Sequence, residues 1–174
     1  MKGTIHRCLE EMIKHHFNDK VWEDTLVASN FPISYNFTLS EDVDEEKSLN
    51  LVLNSAKVAQ VSVEEIFDLF GEYWVCTYAP KVYSFWYIGI KNAKDFILKL
   101  DGIHGIVGKH FNQAAPPRFL YEEESPTTLL ITYQSNRSLI DLFISLVKGV
   151  GIYFKETIQT EKLSDVQLRI TFAE

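Results

Sequence analysis

The sequence predicts an α+β fold, in which a helical N-terminal subdomain precedes a C-terminal subdomain of helices and an antiparallel sheet. Apolar residues before Pro116-Pro117 recur at spacings of three and four, the period of an amphipathic helix. Short β-rich runs follow the prolines. The 174 residues, 46% of them hydrophobic, suffice for one domain with a cofactor cavity. We expect one domain over 1–174, with approximate subdomains of 1–60 and 61–174.

Helices dominate the first part of the chain. Thr4–Phe17 spaces its apolar residues so that they share one helix face. A second short helix is expected around Val21–Ser29. The acidic run Glu41–Glu46 predicts a further helix start, because carboxylates are stabilised at the N-terminal end of the helix dipole. The apolar face of the first helix consists of Ile5, Cys8, Leu9, Met12 and Ile13.

Two longer helices precede the double proline. Ser62 followed three residues later by Glu65 is a capping-box pattern, which predicts a helix from about Ser62 to beyond Trp74. A later helix opens at Asn92, and its apolar face includes a histidine. The residues on that face are Ala93, Ile97, Leu100, His104, Val107 and Phe111.

Strands and one further helix are expected after the double proline. Arg118–Glu122 and Leu129–Ser135 are interpreted as strands, and Ser138–Phe154 as an amphipathic helix. Thr157–Thr160 and Val166–Phe172 are interpreted as a hairpin pair. The short connections predict antiparallel pairing.

Charge and hydropathy restrict the partners of the chain. A formal net charge of −7 argues against nucleic acid or an anionic membrane as the main partner, because both repel an acidic surface. The start has no signal-peptide pattern, and no run of about 18 apolar residues occurs, so we expect a cytoplasmic protein. Cys8 and Cys76 form no CxxC pair and are interpreted as buried free thiols, with redox modulation as the alternative.

His104 is the first candidate ligand, although a histidine on an apolar helix face is more often a hydrogen-bonded core residue. Gly102, Gly105 and Gly108 crowd the same helix, where each costs about 1 kcal/mol relative to alanine. They indicate that something approaches the helix backbone closely. Either a flat cofactor or a second helix satisfies this pattern.

A polar cluster lies at the end of a predicted strand. Tyr133, Ser135 and Arg137 occupy alternate positions and therefore point the same way. Two hydroxyls and a guanidinium suit carboxylates, although Arg137 alone is also typical of a surface residue. Pro116-Pro117 presents a rigid apolar edge, or simply ends a helix.

Together these elements resemble the H-NOX family, the haem nitric oxide/oxygen-binding domains of bacterial sensors and of soluble guanylate cyclase. The resemblance covers nearly the whole chain in order. It is carried by Met1–Ile5, Val21–Asp24, Phe70–Trp74, His104 with Pro116–Arg118, and Tyr133-x-Ser135-x-Arg137.

The resemblance implies a haem b between the two subdomains and a gas sensor rather than an enzyme. In this reading His104 is the proximal iron ligand. Tyr133, Ser135 and Arg137 hold the propionates, and Pro117 with Ile5 contacts and distorts the haem.

The expected distal wall favours nitric oxide over oxygen. Leu142 stands where oxygen-binding members carry a hydrogen-bonding tyrosine, and Ile5, Leu9 and Leu146 add only apolar surface. Carbon monoxide remains a possible second ligand. Trp74 and Tyr78 leave oxygen binding open, because each carries a hydrogen-bond donor.

The resemblance also implies a mechanism and partners. Nitric oxide binding weakens the bond between His104 and iron, and the subdomains shift. Because the chain ends near Glu174, we expect the signal to pass to a separate histidine kinase or cyclic-di-nucleotide enzyme. A peroxidase-like enzyme is the alternative, but His6, His15 and His16 are expected mostly on the polar side of the first helix, away from a distal pocket.

Overall fold

The computed structural model describes residues 1–110 and 114–173, and Phe111 lies outside them. It confirms the α+β class, because helices accompany a four-stranded antiparallel sheet. None of the described helices has both the length and the apolar character needed to cross a membrane. The chain divides into two compact units, Met1–Phe70 and Gly71–Glu174.

The N-terminal unit is built from helices. Asn18 caps the second helix, since its side chain accepts a hydrogen bond from the backbone N–H of Val21 at 3.0 Å. Asp44 caps the third helix in the same way, so the acidic run does mark a helix start. The helices are α1 (Gly3–His16), α2 (Asp19–Ala28), α3 (Glu45–Ala59) and α4 (Val63–Tyr73), the last of which continues beyond Phe70.

The structure corrects the expectation for His6, which is buried and only 2% exposed. Its Nε2 lies 3.0 Å from the Ser48 hydroxyl, and its ring stacks on Phe37 at 4.8 Å. The reason is helical period: Gly3, His6 and Leu9 follow one another at intervals of three and share the buried face of α1. His15 and His16 are exposed, as expected.

The C-terminal unit begins with a change of helix type. The α4 helix passes directly into a π-helix (Trp74–Tyr78), where the sequence predicts one uninterrupted helix. Antiparallel pairing is confirmed, and the strand order is β1-β2-β4-β3. The remaining elements are α5 (Ala79–Val82), a 3-10 helix (Ser84–Tyr87), α6 (Ala93–His110), β1 (Arg118–Ser125), β2 (Thr128–Gln134), α7 (Ile140–Phe154), β3 (Ile158–Lys162) and β4 (Gln167–Phe172).

One face of the sheet forms the core of this unit. Burial alternates along β2 and β4, as expected for strands covered on one side. Helices α6 and α7 supply the opposing apolar side chains. The buried core residues on the sheet are Phe119, Leu129, Ile131, Tyr133, Leu168, Ile170 and Phe172.

The end of α4 and the middle of α7 meet backbone to backbone. A Cβ atom at Gly71 would lie 2.3 Å from the Ser145 carbonyl oxygen. A Cβ atom at Gly149 would lie 2.5 Å from the Gly71 carbonyl oxygen. Both distances are too short for any side chain, so this contact requires glycine at both positions.

Candidate functional site

His104 lies on α6, and one backbone acceptor determines the state of its half-buried ring. Its Nδ1 is 2.8 Å from the carbonyl oxygen of Pro117. Because a carbonyl can only accept, Nδ1 must carry the proton of the neutral imidazole. The lone pair is therefore on Nε2.

That Nε2 atom has no hydrogen-bond partner within residues 1–110 and 114–173. Burial lowers the pKa of His104, which favours the neutral ring that a metal requires. Its ring lies 5.3 Å from that of Phe119, which supports one side. His104 is therefore not a core histidine with both nitrogens hydrogen-bonded, and its Nε2 lone pair is unused among the described residues.

An ion pair that the sequence analysis missed lies beside His104. Asp101 accepts hydrogen bonds from Arg118 Nε at 2.7 Å and Nη2 at 2.6 Å. It also accepts one from the backbone N–H of Phe119 at 2.9 Å. The Arg118 guanidinium lowers the pKa of the Asp101 carboxyl to about 2, so it is charged at neutral pH. The available signal was an acidic residue three positions before His104.

Tyr133 fits the predicted carboxylate-binding cluster in one respect that the sequence did not show. Its ring is only 4% exposed; it stacks on the ring of Phe143 at a centroid distance of 5.6 Å and is tilted against the ring of Phe119 at 6.0 Å. Its hydroxyl has no hydrogen-bond partner among the described residues. A donor that is left without a partner is available for an added acceptor.

Ser135 and Arg137 lie just beyond the end of β2. The Ser135 hydroxyl oxygen accepts a hydrogen bond from the backbone N–H of Arg137 at 3.2 Å. The Arg137 guanidinium donates to the carbonyl oxygen of Ala115. The first of these bonds joins the side chain of Ser135 to the backbone of Arg137. Among the described residues, no hydrogen bond between side chains connects Tyr133, Ser135 and Arg137.

The candidate distal residues of the C-terminal unit lie on two elements. Leu142 and Leu146 are half-buried on α7, one helical turn apart. Trp74 and Tyr78 begin and end the π-helix, and their rings stack at 5.5 Å. Tyr78 is buried and Trp74 half-buried.

The candidate haem contacts of the N-terminal unit lie on α1. Ile5 is half-buried and Leu9 is 2% exposed. Their contact with a haem stays a prediction. Pro117 is half-buried, and its observed partner is the His104 imidazole, through the Pro117 carbonyl.

Protein atoms of the described residues do not approach the α6 backbone closely at the three glycines, so of the two explanations the second helix is the one that the structure contradicts. A Cβ atom at Gly102 would meet nothing within 4 Å among the described residues. At Gly105 the nearest atom is Arg118 Nη2 at 3.6 Å, and at Gly108 it is Pro116 Cδ at 3.8 Å. These are ordinary contacts, so a tightly packed second helix does not explain the three glycines.

Neither cysteine is set up as a reactive thiolate. Cys8 is fully buried, and the half-buried Cys76 thiol lies 3.6 Å from the Gly149 carbonyl oxygen. Burial raises the pKa of both thiols. Within the described ranges, no group of three or more His, Cys, Asp or Glu side chains is arranged to hold a bare metal ion.

Known proteins match this chain in sequence. Residues 2–162 match the family model described as Haem-NO-binding. The soluble guanylate cyclase gcy-35 of Caenorhabditis elegans is 23% identical over 153 residues, which cover 86% of this chain. The chain spans only 22% of the length of that relative.

Solved structures match the fold over its full length. An oxygen-binding H-NOX domain related to soluble guanylate cyclases, in its oxygen complex, gives a TM-score of 0.87 at 21% identity, covering 100% of this chain and 96% of that chain. A mutant H-NOX domain of T. Tengcongensis gives 0.85 at 21% identity, covering 100% and 98%. At this identity the similarity establishes the fold.

Proposed function

Because the chain belongs to the haem-NO-binding (H-NOX) family, we propose that it holds one haem b through His104 and senses nitric oxide rather than catalysing a reaction. One observation carries the proposal: the Pro117 carbonyl fixes the proton on Nδ1 and leaves Nε2 without a partner. A neutral imidazole nitrogen is a common protein ligand of haem iron. The haem supplies the iron to which a diatomic gas binds.

The proposal assigns other residues of the chain to the remaining parts of a haem. The partnerless hydroxyl of Tyr133, with Ser135 and Arg137, would hold the propionates. Arg137 now donates to the neutral carbonyl of Ala115, and a carboxylate accepts a stronger, charge-assisted hydrogen bond. Pro117 and Ile5 are assigned to haem contact and distortion as part of the proposal.

Selectivity for nitric oxide rests on the distal side chains. Leu142 and Leu146 offer no hydrogen-bond donor, and bound oxygen depends on a donor more than nitric oxide does. Leu9 belongs to the same proposal as an apolar distal residue.

Oxygen sensing is the second candidate. It is favoured by the indole N–H of Trp74 and the hydroxyl of Tyr78, which lie on one turn of the π-helix. Both side chains already make other contacts in the fold. Nitric oxide is therefore placed first, with carbon monoxide as a possible further ligand.

We infer that the output passes to another protein, with a histidine kinase or a cyclic-di-nucleotide enzyme as the proposed partner. The support is membership of the family, together with the similarity to a guanylate cyclase of which this chain covers a small part. A direct test is co-purification of candidate partners with the ferrous protein, in the presence and absence of nitric oxide.

The absorption spectrum of the ferrous protein, with and without nitric oxide, tests the central proposal. The wild type is expected to show a Soret band that shifts on addition of nitric oxide. His104→Gly is expected to lose this behaviour and to regain it with added imidazole. The matched control is His110→Gly, which removes an exposed histidine from the same helix.

Two outcomes contradict the proposal. The first is a wild type without a Soret band, and the second is a His104→Gly variant whose spectrum equals that of the wild type. Multiple-turnover peroxide consumption by the wild-type holoprotein would instead support the enzyme alternative.

A further inference from the structure

We propose that Asp101 is a positioning residue for His104, which acts by holding the Pro117 carbonyl oxygen against Nδ1. The proposal deepens the proposed function and rests on it. The ion pair between Asp101 and Arg118 has no part in the proposed binding of the propionates or in the distal pocket. The present proposal assigns it a role.

Asp101 joins the helix of His104 to the segment that carries its acceptor. On α6, Asp101 lies three residues before His104, and positions three apart share a helix face. Its carboxylate accepts two hydrogen bonds from the Arg118 side chain and one from the Phe119 backbone N–H. Three hydrogen bonds therefore tie the two residues after Pro117 to one turn of α6.

The orientation of the Pro117 carbonyl follows from this attachment. The Pro117 carbonyl and the Arg118 N–H belong to one planar peptide unit. The pyrrolidine ring fixes φ of Pro117, so the main remaining freedom is rotation about ψ. Fixing Arg118 and Phe119 in place fixes that rotation, and with it the 2.8 Å distance from the Pro117 oxygen to Nδ1.

Geometry, rather than charge, makes this contact effective. The Arg118 side chain is 53% exposed, and an ion pair in water adds little to stability. However, two parallel hydrogen bonds from a planar guanidinium restrict orientation strongly. The guanidinium also lies beside α6 itself, since its Cζ is 3.7 Å from the position that a Cβ atom would take at Gly105, an ordinary van der Waals distance.

The test compares Asp101→Ala and Asp101→Asn with a control on the same two elements. Lys94 on α6 and Glu123 on β1 form an ion pair at 2.8 Å, so Glu123→Ala also breaks a contact between α6 and β1. Neither residue takes part in the bonds around His104. All variants are purified as the ferrous holoprotein.

Two spectroscopic readouts report on the imidazole itself. Resonance Raman spectroscopy gives the iron–histidine stretching frequency. Proton NMR of the paramagnetic ferrous protein follows the exchange of the His104 Nδ1–H with solvent deuterium. Asp101→Ala is expected to shift or broaden the stretching band and to speed the exchange about tenfold, which corresponds to the loss of one hydrogen bond.

The conservative variant separates position from charge. Asp101→Asn keeps one oxygen that can accept from the Phe119 N–H but loses the second acceptor for the guanidinium, so both readouts should fall between those of the wild type and of Asp101→Ala. Glu123→Ala should equal the wild type. A stretching band and exchange rate unchanged by Asp101→Ala overturn the inference, as does an equal effect of Glu123→Ala, which would indicate general loosening.

Failure of the proposed function has a different signature. If the wild-type ferrous protein has no iron–histidine band, His104 is not the ligand and both proposals fall. If the band is present in the wild type and Asp101→Ala leaves it unchanged, only the positioning role falls.

Discussion

The acceptor used by His104 is a backbone carbonyl, and this explains what sequence reasoning could and could not find. His104 could be identified as a candidate from its place on an apolar helix face. The Pro117 carbonyl could not be identified as its acceptor, because every residue has a carbonyl and only the fold shows which one lies 2.8 Å from Nδ1. Asp101 was visible as a charge near a histidine, but its partner Arg118 is seventeen positions away.

His6 makes the stability of the protein depend on pH. Burial lowers its pKa to about 4, from an ordinary 6.5. Below pH 6.5 His6 is protonated in the unfolded chain, whereas in the folded protein it stays neutral until about pH 4. The free energy of unfolding therefore falls as the pH decreases from about 6.5 to about 4. The full effect is up to about 3 kcal/mol. Denaturant unfolding of the wild type and His6→Gln between pH 7.5 and 4.5 measures it.

Carboxylates also titrate in this range, so the comparison between variants decides the result. His6→Gln should show a shallower decline than the wild type, whereas His110→Gln, which removes an exposed histidine, should match the wild type. A His6→Gln variant with the wild-type slope means that His6 takes up its proton equally in the folded and unfolded chains.

Leu142→Tyr tests whether the missing distal donor sets ligand choice. A hydrogen bond to a charged group contributes about 1.5–3 kcal/mol, which predicts roughly 10- to 100-fold slower oxygen dissociation from the ferrous protein. Stopped-flow spectroscopy in oxygenated buffer measures the rate. Leu142→Phe is the control, because it adds a similar ring without the hydroxyl. If the wild type already holds oxygen stably in air, apolar exclusion does not operate.

Among the single elements, the starts of helices were predictable because a capping side chain and its backbone partner lie within a few residues of each other. The Ser62 hydroxyl accepts from the Glu65 N–H at 3.0 Å, and the Asn92 side chain accepts from the Asp95 N–H at 2.7 Å. The π-helix had no such signal. One of its carbonyls, that of Val75, accepts from the Tyr87 hydroxyl at 3.1 Å, a tertiary contact that the local pattern does not show.

Replacing a glycine by alanine is expected to change the stability in opposite directions in α7 and α6. Gly149→Ala should lower the free energy of unfolding by about 1–3 kcal/mol, because its methyl group collides with the Gly71 backbone. Gly102→Ala should raise it by about 0.5–1 kcal/mol, because the site is open and alanine favours a helix. Urea unfolding of the two variants, in the same haem-loaded state, gives both values.

The sign of the Gly102 result is the informative part. Destabilisation by Gly102→Ala in the holoprotein alone would mean that a bound group occupies the open space beside α6. Destabilisation in both the holoprotein and the haem-free protein would contradict the expected gain from helix propensity.

At the scale of the whole molecule, the α+β class followed from the change of hydrophobic period at the double proline. Strand pairing was predictable from the short connections, and the register Phe119 with Tyr133 agrees with it. The sheet order β1-β2-β4-β3 was not predicted. Strands β3 and β4, which were expected as a pair, are neighbours, but β4 also pairs with β2. That long-range pairing has no local signal in the sequence.

The attachment at Asp101 also bears on the order in which the chain folds. The Phe119 amide reaches Asp101 across only 18 residues, whereas the Tyr133 amide donates to Val166, much further along the chain. Short loops close at lower entropic cost, so pulsed hydrogen exchange should find Phe119 protected before Tyr133. A nascent chain that ends before Val166 would then already hold the His104 imidazole with its proton on Nδ1. The backbone N–H of Tyr133 would still exchange with water at that stage.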